Sequence, residues 1–207
     1  MVVVGISGGS GSGKSILAEN LAKHFSWLRT LVLSQDSYYR DNSHLPLEAR
    51  KTINFDHPDA IDYDLMILHL DALIRGEPVE RPCYSFHLCT RTGETELIHP
   101  PELLLMEGIL LFCNPSLLSA MHVKIFLDTP ADLRLRRILE RDALNRGRTE
   151  EEVTRRFFSV VQPMHEKFVE PCRNPADIIL DNQGSLDELT KMAALTITEK
   201  AGLNPVS

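Results

Sequence analysis

The residues best suited to chemistry in this sequence form the pattern Gly-x-x-x-x-Gly-Lys-Ser over residues 8–15, here called the phosphate loop. Glycines let backbone N–H groups close around phosphate oxygens, because no Cβ stands in the way. A helix that begins here would add the positive end of its dipole. Lys14 is placed to reach the β- and γ-phosphates, and the Ser15 hydroxyl to ligate Mg²⁺. The predicted triphosphate site consists of Gly8, Gly9, Ser10, Gly11, Ser12, Gly13, Lys14, Ser15 and Ile16.

The sequence on either side of the phosphate loop distinguishes it from a flexible Gly/Ser linker. An apolar, β-branched run over residues 2–6 precedes it, and Leu17, Leu21 and Phe25 follow at a spacing of four. A buried strand before the loop and an amphipathic helix after it are the context in which this motif binds phosphate.

The rest of the chain alternates between short apolar runs and helical periodicity. The runs at 2–6, 30–34, 103–106, 122–127 and 177–180 predict five strands, and the helical segments are 15–25, 62–74, 131–145, 150–169 and 185–200. Such alternation predicts an α/β fold, a mainly parallel five-stranded sheet with helices on both faces, in one domain over residues 1–207. Ser185 and Glu188 predict a capping box at the last helix.

Two regions depart from this alternation. Residues 80–100 predict an inserted β-hairpin with its turn at Thr92 and Gly93. Residues 134–156 hold eight of the fifteen arginines and predict a lid over the phosphates.

Two carboxylates follow predicted strands. Asp36 lies just after the second strand, where it could orient an acceptor hydroxyl and take its proton; an Asx-turn or a helix cap is the alternative. Glu107 closes an apolar strand, where a carboxylate is costly unless it is paired or near a metal, and we expect it to assist Mg²⁺. The alternative for Glu107 is an exposed strand end.

The arginines of the predicted lid share one helical face at Arg134, Arg137 and Arg141, and Arg146 and Arg148 follow in a glycine-containing loop. Their donors could spread the charge of a phosphoryl transition state and exclude water. A solvated basic face, balanced by neighbouring acids, is the alternative.

A polar segment over residues 54–62 and the hairpin offer groups for an acceptor. Asp56 could hold the vicinal hydroxyls of a sugar, and Tyr84 and Phe86 could flank a planar ligand. The two aromatic residues could equally be hairpin core.

Composition narrows the class of protein. The net charge of -7 argues against a general nucleic-acid or anionic-membrane surface, and no apolar run is long enough to span a bilayer. The four cysteines have neither paired nor zinc spacing, and no signal peptide is visible. We therefore expect a cytoplasmic protein with free thiols.

Nearly the whole chain resembles the uridine kinase branch of the phosphoribulokinase/uridine kinase family. The resemblance rests on GISGGSGSGKS, LSQDSYYR, NFDHPDAID, PCYSF, MEGILLF, IFLDTPADLRLRRILERD, NRGR and VVQPMHEKFVEP, followed by ADIIL. It implies a P-loop kinase that uses ATP and Mg²⁺ to phosphorylate the 5′-hydroxyl of uridine or cytidine, and it suggests a homo-oligomer.

The resemblance also implies roles for single residues. Asp36 matches the catalytic base, Asp56 the residue that holds the ribose hydroxyls, and Tyr84 and Phe86 the base pocket. Catalysis would also involve Lys14 and Arg141, the metal would lie at Ser15 and Glu107, ATP would contact Arg146, and the acceptor would contact Arg137, Arg148 and Arg156.

Two positions depart from the family's pattern, which has His where Cys89 stands and often Gln where Arg156 stands. A thiol is a poorer hydrogen-bonding group than imidazole, and an arginine favours binding of an anionic group. The same transfer to another hydroxyl therefore remains an alternative, with a phosphorylated sugar, nicotinamide riboside or a pantothenate-like alcohol as acceptor. A nucleotide-binding regulator without kinase activity is a second alternative, although the sequence has no Asn-Lys-x-Asp guanine motif.

Overall fold

A parallel sheet of five strands carries the fold. The computed structural model describes residues 1–145 and 149–203. The strands are β1 (Val2–Gly8), β2 (Thr30–Ser34), β3 (Val79–Ser85), β4 (Thr90–Ile98), β5 (Leu103–Gly108), β6 (Val123–Asp128) and β7 (Ile178–Asp181). The main sheet has the order β2-β5-β1-β6-β7, and β3 and β4 form a separate antiparallel pair.

Helices connect the strands and cover the sheet. They are α1 (Lys14–His24), α2 (Leu47–Lys51), α3 (Tyr63–Ile74), α4 (Pro115–Ala120), α5 (Ala131–Asn145), α6 (Glu150–Arg156), α7 (Gln162–Met164) and α8 (Leu186–Ala201). Among the described residues, no helix combines the length and the apolar character needed to cross a membrane.

Both faces of the central strands are buried, and successive side chains enter different cores. Val3 and Leu104 pack into the core that includes α3 and α4, whereas Val4 and Leu105 pack into the core beneath α1 and α8. This explains the continuous apolar runs, because a strand covered on both faces has no solvent side. The predicted α/β fold is confirmed.

The predicted hairpin is present, but its predicted turn is wrong. The turn spans residues 86–89 and ends at Cys89, which adopts a left-handed conformation (φ 51°). Gly93 lies within β4, where the register shifts so that Pro82 pairs with Thr95 and Tyr84 with Arg91. Gly93, at φ 84°, therefore marks a β-bulge rather than a turn, and a lone glycine in a strand fits either interpretation.

The predicted capping box is also misplaced. Ser185 is the N-cap of α8, but its side chain accepts no backbone N–H. The capping box lies at α6, where the Thr149 hydroxyl accepts from the Glu152 N–H and the Glu152 carboxylate accepts from the Thr149 N–H (3.3 and 3.0 Å). It fixes the start of the helix that carries Arg156.

The predicted helix over residues 150–169 is helical throughout, but two π-helical turns interrupt its α-helical geometry. Phe157–Val161 and His165–Val169 are π-helical turns on either side of α7. Each precedes a proline by two residues, Pro163 and Pro171. Proline lacks an N–H, and its ring clashes with the carbonyl four residues earlier. A π-helical turn pairs a carbonyl with the N–H five residues later, so it avoids the missing N–H and leaves room for the ring.

The buried centre of the sheet can be tested with Leu104→Ala. Leu104 has no exposed surface, so we expect a loss of about 3 kcal/mol in the free energy of unfolding, from lost burial and the cavity left behind. Urea unfolding measures it. The matched control is Leu97→Ala on β4, where the side chain is 57% exposed and the loss should stay below about 1 kcal/mol. Equal losses in the two variants would contradict the assignment of β5 to the core.

Candidate active site

The phosphate loop joins the end of β1 to the start of α1, and residues from other segments of the chain contact it. The Ser12 carbonyl accepts hydrogen bonds from Asn182 Nδ2 (2.5 Å) and Arg137 Nη1 (3.4 Å). At Gly11 (φ 78°) a Cβ would lie 2.6 Å from the Arg134 carbonyl oxygen, so only glycine fits. Asn182, which follows β7, is a contact that the sequence did not predict, because nothing local ties it to a loop 170 residues away.

Lys14 lies at the centre of the site. Its ammonium donates to the Gly9 carbonyl (2.9 Å), and the residue is only 7% exposed. Burial lowers the pKa of Lys14, and the nearby carboxylates of Glu107 and Asp36 oppose that shift. The three groups predicted from separate parts of the sequence are therefore close enough to interact.

Strand register brings the two carboxylates together. Glu107 lies in one row with Ile6 of β1 and Ser34 of β2. A 3₁₀ turn follows β2 at once, and its Asp36 N–H donates to the Ser34 hydroxyl (3.3 Å). Ser34, not Asp36, is thus the cap of this turn, and the Asp36 side chain lines the cavity described below. Glu107 is 5% exposed, so it is not a surface strand end.

Gln35, between Ser34 and Asp36, links the end of β2 to the segment that follows β5. It is buried, and its Oε1 accepts from the Leu110 N–H (2.9 Å). A Cβ at Gly108 would come within 2.4 Å of the same oxygen, so the small residue after Glu107 leaves room for Gln35. No pattern in the sequence predicts this role, because it depends on packing between two strand ends.

The oxygen donors at this corner suit Mg²⁺. Ser15 and Glu107 line the same cavity as Asp36, and hard oxygen ligands are those that Mg²⁺ prefers. Within residues 1–145 and 149–203, no group of three or more His, Cys, Asp or Glu side chains could hold a metal alone. The two oxygen donors, Ser15 and Glu107, fit an ion that takes its other ligands from phosphate and water.

A cavity of about 500 Å³ extends from the phosphate loop to the hairpin. Its far end holds an aromatic cluster in which Tyr39 lies 5.2 Å from Phe55 and 5.1 Å from Tyr84, and Tyr84 lies 5.3 Å from Phe86 (ring centroids). Cys89 lines the same end. The predicted residues Tyr84 and Phe86 line this end of the cavity. Tyr39 and Phe55 line it too, and the sequence did not single them out because neither has a periodic partner.

Asp56 and Arg156 meet across this cavity although 100 residues separate them. Arg156 Nη2 donates to Asp56 Oδ2 at 3.0 Å, and Asp56 is 7% exposed. A buried carboxylate needs such a partner, since burying it alone would be costly. The structure thus pairs two residues that the sequence had assigned separately to the acceptor.

The arginines of α5 do not act as one group. Arg137 and Arg141 line the cavity, and Arg141 Nε donates to Asp142 (2.8 Å). Arg134 is 1% exposed and lies behind the phosphate loop, where its Nη2 donates to Gln162 Oε1 at 2.5 Å. Its predicted place in the lid is wrong, because Phe157 and Gln162 cover its guanidinium. Arg146 and Arg148 lie outside the described residues.

Comparison with known proteins agrees with this geometry. Residues 3–187 match the phosphoribulokinase/uridine kinase family. The chain belongs to this family. A uridine kinase from Geobacillus sp. (strain WCH70) is 46% identical over 183 residues, which cover 88% of this chain and 87% of the relative. A uridine kinase from Bacillus cytotoxicus is 42% identical over 206 residues, or 98% and 97% of the two chains.

Among solved structures, phosphoribulokinase from Rhodobacter spheroides aligns with a TM-score of 0.63 over 87% of this chain and 69% of that one. At 16% identity this likeness shows a shared fold alone. The P-loop kinase fold and the family resemblance predicted from the sequence are both confirmed.

In this kinase His165, whose side chain is 13% exposed and which the sequence did not single out, packs against the phosphate loop. A Cβ at Gly9 would lie 2.9 Å from His165 Nδ1, and His165 Nε2 lies 3.4 Å from a Glu170 carboxylate oxygen. Burial lowers the pKa of His165 to about 4, with Arg134, Lys14 and Arg173 adding to the effect. His165 is therefore neutral at pH 7.

The depressed pKa of His165 predicts a pH dependence of folding. As the pH falls from 6.5 towards 4, the unfolded chain takes up a proton at this residue that the folded chain does not. The free energy of unfolding should fall over that window by on the order of 2–3 kcal/mol from this group. His165→Gln should flatten the slope, measured by urea unfolding across the window.

His44→Gln is the matched control, because His44 is exposed and this variant should keep the wild-type slope. If His165→Gln followed the wild-type pH dependence instead, the lowered pKa of His165 in the folded chain would be refuted.

Proposed function

We propose that this chain transfers the γ-phosphate of ATP to the 5′-hydroxyl of a nucleoside, with uridine or cytidine as the acceptor. One observation carries the proposal: a single cavity joins the Lys14, Glu107 and Asp36 corner to the aromatic cluster and Asp56. A nucleoside needs this arrangement, with a stacking surface for its base, a carboxylate for its diol and its hydroxyl near the triphosphate. The relatives named uridine kinase support the choice of acceptor.

On the phosphate side, the loop and its lysine would bind and orient the triphosphate. Backbone N–H groups of the loop would hold the β- and γ-phosphates, and Lys14 would exchange its bond to the Gly9 carbonyl for phosphate oxygens. Arg137 and Arg141, which line the cavity, would spread the charge that develops during transfer. Mg²⁺, held by Ser15 and Glu107, would neutralise phosphate charge.

On the acceptor side, Asp36 would orient the 5′-hydroxyl and accept its proton as the new bond forms. Asp56 would accept hydrogen bonds from the ribose diol, with Arg156 keeping its charge balanced. Stacking against Tyr84 and Phe86 would place the base.

Water must be kept from the γ-phosphate, since hydrolysis competes with transfer. An apolar wall of the cavity can exclude it. That wall comes from one buried cluster on α5, α6 and the following π-helical turn, whose members are Ile138, Val153, Phe157 and Val161.

The donors of Arg156 at the acceptor end favour a second candidate, transfer to a hydroxyl compound that carries an anionic group. An arginine cannot accept a hydrogen bond from a neutral nucleoside, but its free N–H groups could bind a phosphate or carboxylate. Cys89, a weak hydrogen-bonding group, lines the same cavity. ATP and Mg²⁺ would be used in the same way.

We infer a cytoplasmic setting, because all four cysteines are free thiols, as is usual in a reducing compartment. One domain over residues 1–207 and assembly into a homo-oligomer remain predictions.

Asp36→Asn tests the proposed base. The amide keeps the size of the side chain but cannot take a proton, so kcat should fall about 10²–10⁴-fold. The Kd for ATP should change little, because Asp36 acts on the acceptor. Asp71→Asn on the exposed face of α3 is the control and should keep full activity. Near-normal turnover by Asp36→Asn would remove Asp36 as the base.

An acceptor panel with ATP tests the two candidate acceptors. It would compare uridine and cytidine with a phosphorylated sugar, nicotinamide riboside and a pantothenate-like alcohol. The double variant Cys89→His/Arg156→Gln should raise kcat/KM for uridine by about tenfold, the scale of one added hydrogen bond. Glutamine can still donate to Asp56 while its carbonyl accepts from a nucleoside.

Cys83→Ser is the control in this panel, since Cys83 lies on β3 away from the cavity lining. An unchanged preference in the double variant would mean that neither position contacts the base. Strong turnover of the phosphorylated sugar and none of uridine would favour the anionic acceptor.

A further inference from the structure

Two cysteines outside the active cavity lie close enough to react with each other. Cys113 Sγ and Cys172 Sγ are 3.4 Å apart, although 59 residues separate them in the chain. Cys113 ends the 3₁₀ turn Leu111–Cys113 after β5, and Cys172 lies in the 3₁₀ turn Glu170–Arg173. All four cysteines of the chain are in the described residues, and the other two are on the hairpin.

A shared acceptor holds the two sulfurs together. The Phe168 carbonyl accepts from Cys172 Sγ at 3.1 Å and from Cys113 Sγ at 3.4 Å. Cys172 is 5% exposed and Cys113 is half-buried. A small oxidant therefore reaches Cys113 first and finds Cys172 directly behind it.

We propose that Cys113 and Cys172 form a dithiol site that hydrogen peroxide oxidises to a reversible disulfide. The Cys113 thiolate attacks one peroxide oxygen, the O–O bond breaks, and the departing hydroxide takes up the thiol proton as water. Cys113 is then a sulfenic acid. The Cys172 sulfur attacks the Cys113 sulfur, the S–O bond breaks, and the hydroxide leaves with the Cys172 proton as a second water. Two thiols lose two electrons, and the peroxide is reduced to two waters.

The two thiols differ in a way that assigns these roles. Cys113 is half-buried, whereas Cys172 is 5% exposed and lies behind it. Because the thiolate that the oxidant reaches is the nucleophile, Cys113 attacks the oxidant and Cys172 closes the bond.

Formation of the disulfide would alter the acceptor site through Phe168. Closing the bond removes both S–H donors from the Phe168 carbonyl and draws the two turns together. The Phe168 ring packs edge-on against His57 (4.8 Å between centroids), and His57 adjoins Asp56. We therefore expect oxidation to raise the acceptor KM and leave the ATP KM nearly unchanged, a consequence that rests on the proposed function.

The chemical claim is tested on the full-length protein without any assay of activity. Increasing hydrogen peroxide is added, and peptides are mapped by mass spectrometry before and after dithiothreitol. We expect a Cys113–Cys172 cross-link, two hydrogens lighter than the separate peptides, to form before any other cysteine is oxidised and to be reversed by the reductant. Cross-links to Cys83 or Cys89 in its place, or irreversible oxidation of Cys113 without a cross-link, would overturn the proposal.

Single variants separate the two roles. Cys172→Ser should leave a Cys113 sulfenic acid that dimedone traps, whereas Cys113→Ser should leave Cys172 unoxidised over the same time. Cys83→Ser, the matched control, should cross-link like the wild type. Equal dimedone labelling of Cys113 and Cys172 in the two variants would contradict the assigned order.

Coupling to the acceptor site is measured on cross-linked and reduced protein in parallel. The cross-linked form should show an acceptor KM raised about threefold or more, as a small displacement of a binding loop would give, with the ATP KM within about twofold. Cys113→Ser treated with peroxide should show neither change. An unchanged acceptor KM in fully cross-linked protein would overturn the coupling but not the dithiol site, and an absence of kinase activity in the reduced protein would count against the proposed function alone.

Discussion

The buried ammonium of Lys14 is the constraint on which the site depends. A charge at 7% exposure has lost most of its hydration, so it must be balanced by groups held in place by the fold. The Gly9 carbonyl and the carboxylates of Glu107 and Asp36 provide that balance. They come from the phosphate loop and from the ends of β5 and β2. Parallel strands in register are what bring these ends to one edge of the sheet, as in other open α/β folds.

Much of this could be predicted from the sequence, because the signals are local. The spacing of Gly8, Gly13 and Lys14 predicts the phosphate loop. The elements that flank it in the chain, β1 and α1, also flank it in space. Asp36 and Glu107 each end an apolar run, and the rule that strand ends meet at one edge is enough to bring them together. Tyr84, on β3, and Phe86, the first residue of the turn, are two positions apart, a spacing that places both rings on one side of the hairpin.

What the sequence could not predict depends on contacts between distant segments. The ion pair between Asp56 and Arg156 spans 100 residues, and no local pattern encodes it. Arg134 shares helical spacing with Arg137, so the sequence predicts that both lie on one face of α5. It does not predict which distant segment packs over part of that face. Gly93 shows the same limit within one hairpin, because a turn and a bulge both accept its left-handed backbone, and only the pairing across the strands distinguishes them.

The central claim is that this chain moves phosphate from ATP to a nucleoside hydroxyl, and phosphorus-31 NMR tests it most directly. The full-length protein is mixed with ATP, Mg²⁺ and uridine, and the products are followed over time. The account predicts a phosphate monoester on the 5′-carbon of uridine, formed in step with ADP. Formation of ADP with inorganic phosphate alone, at a rate that uridine does not alter, would contradict it.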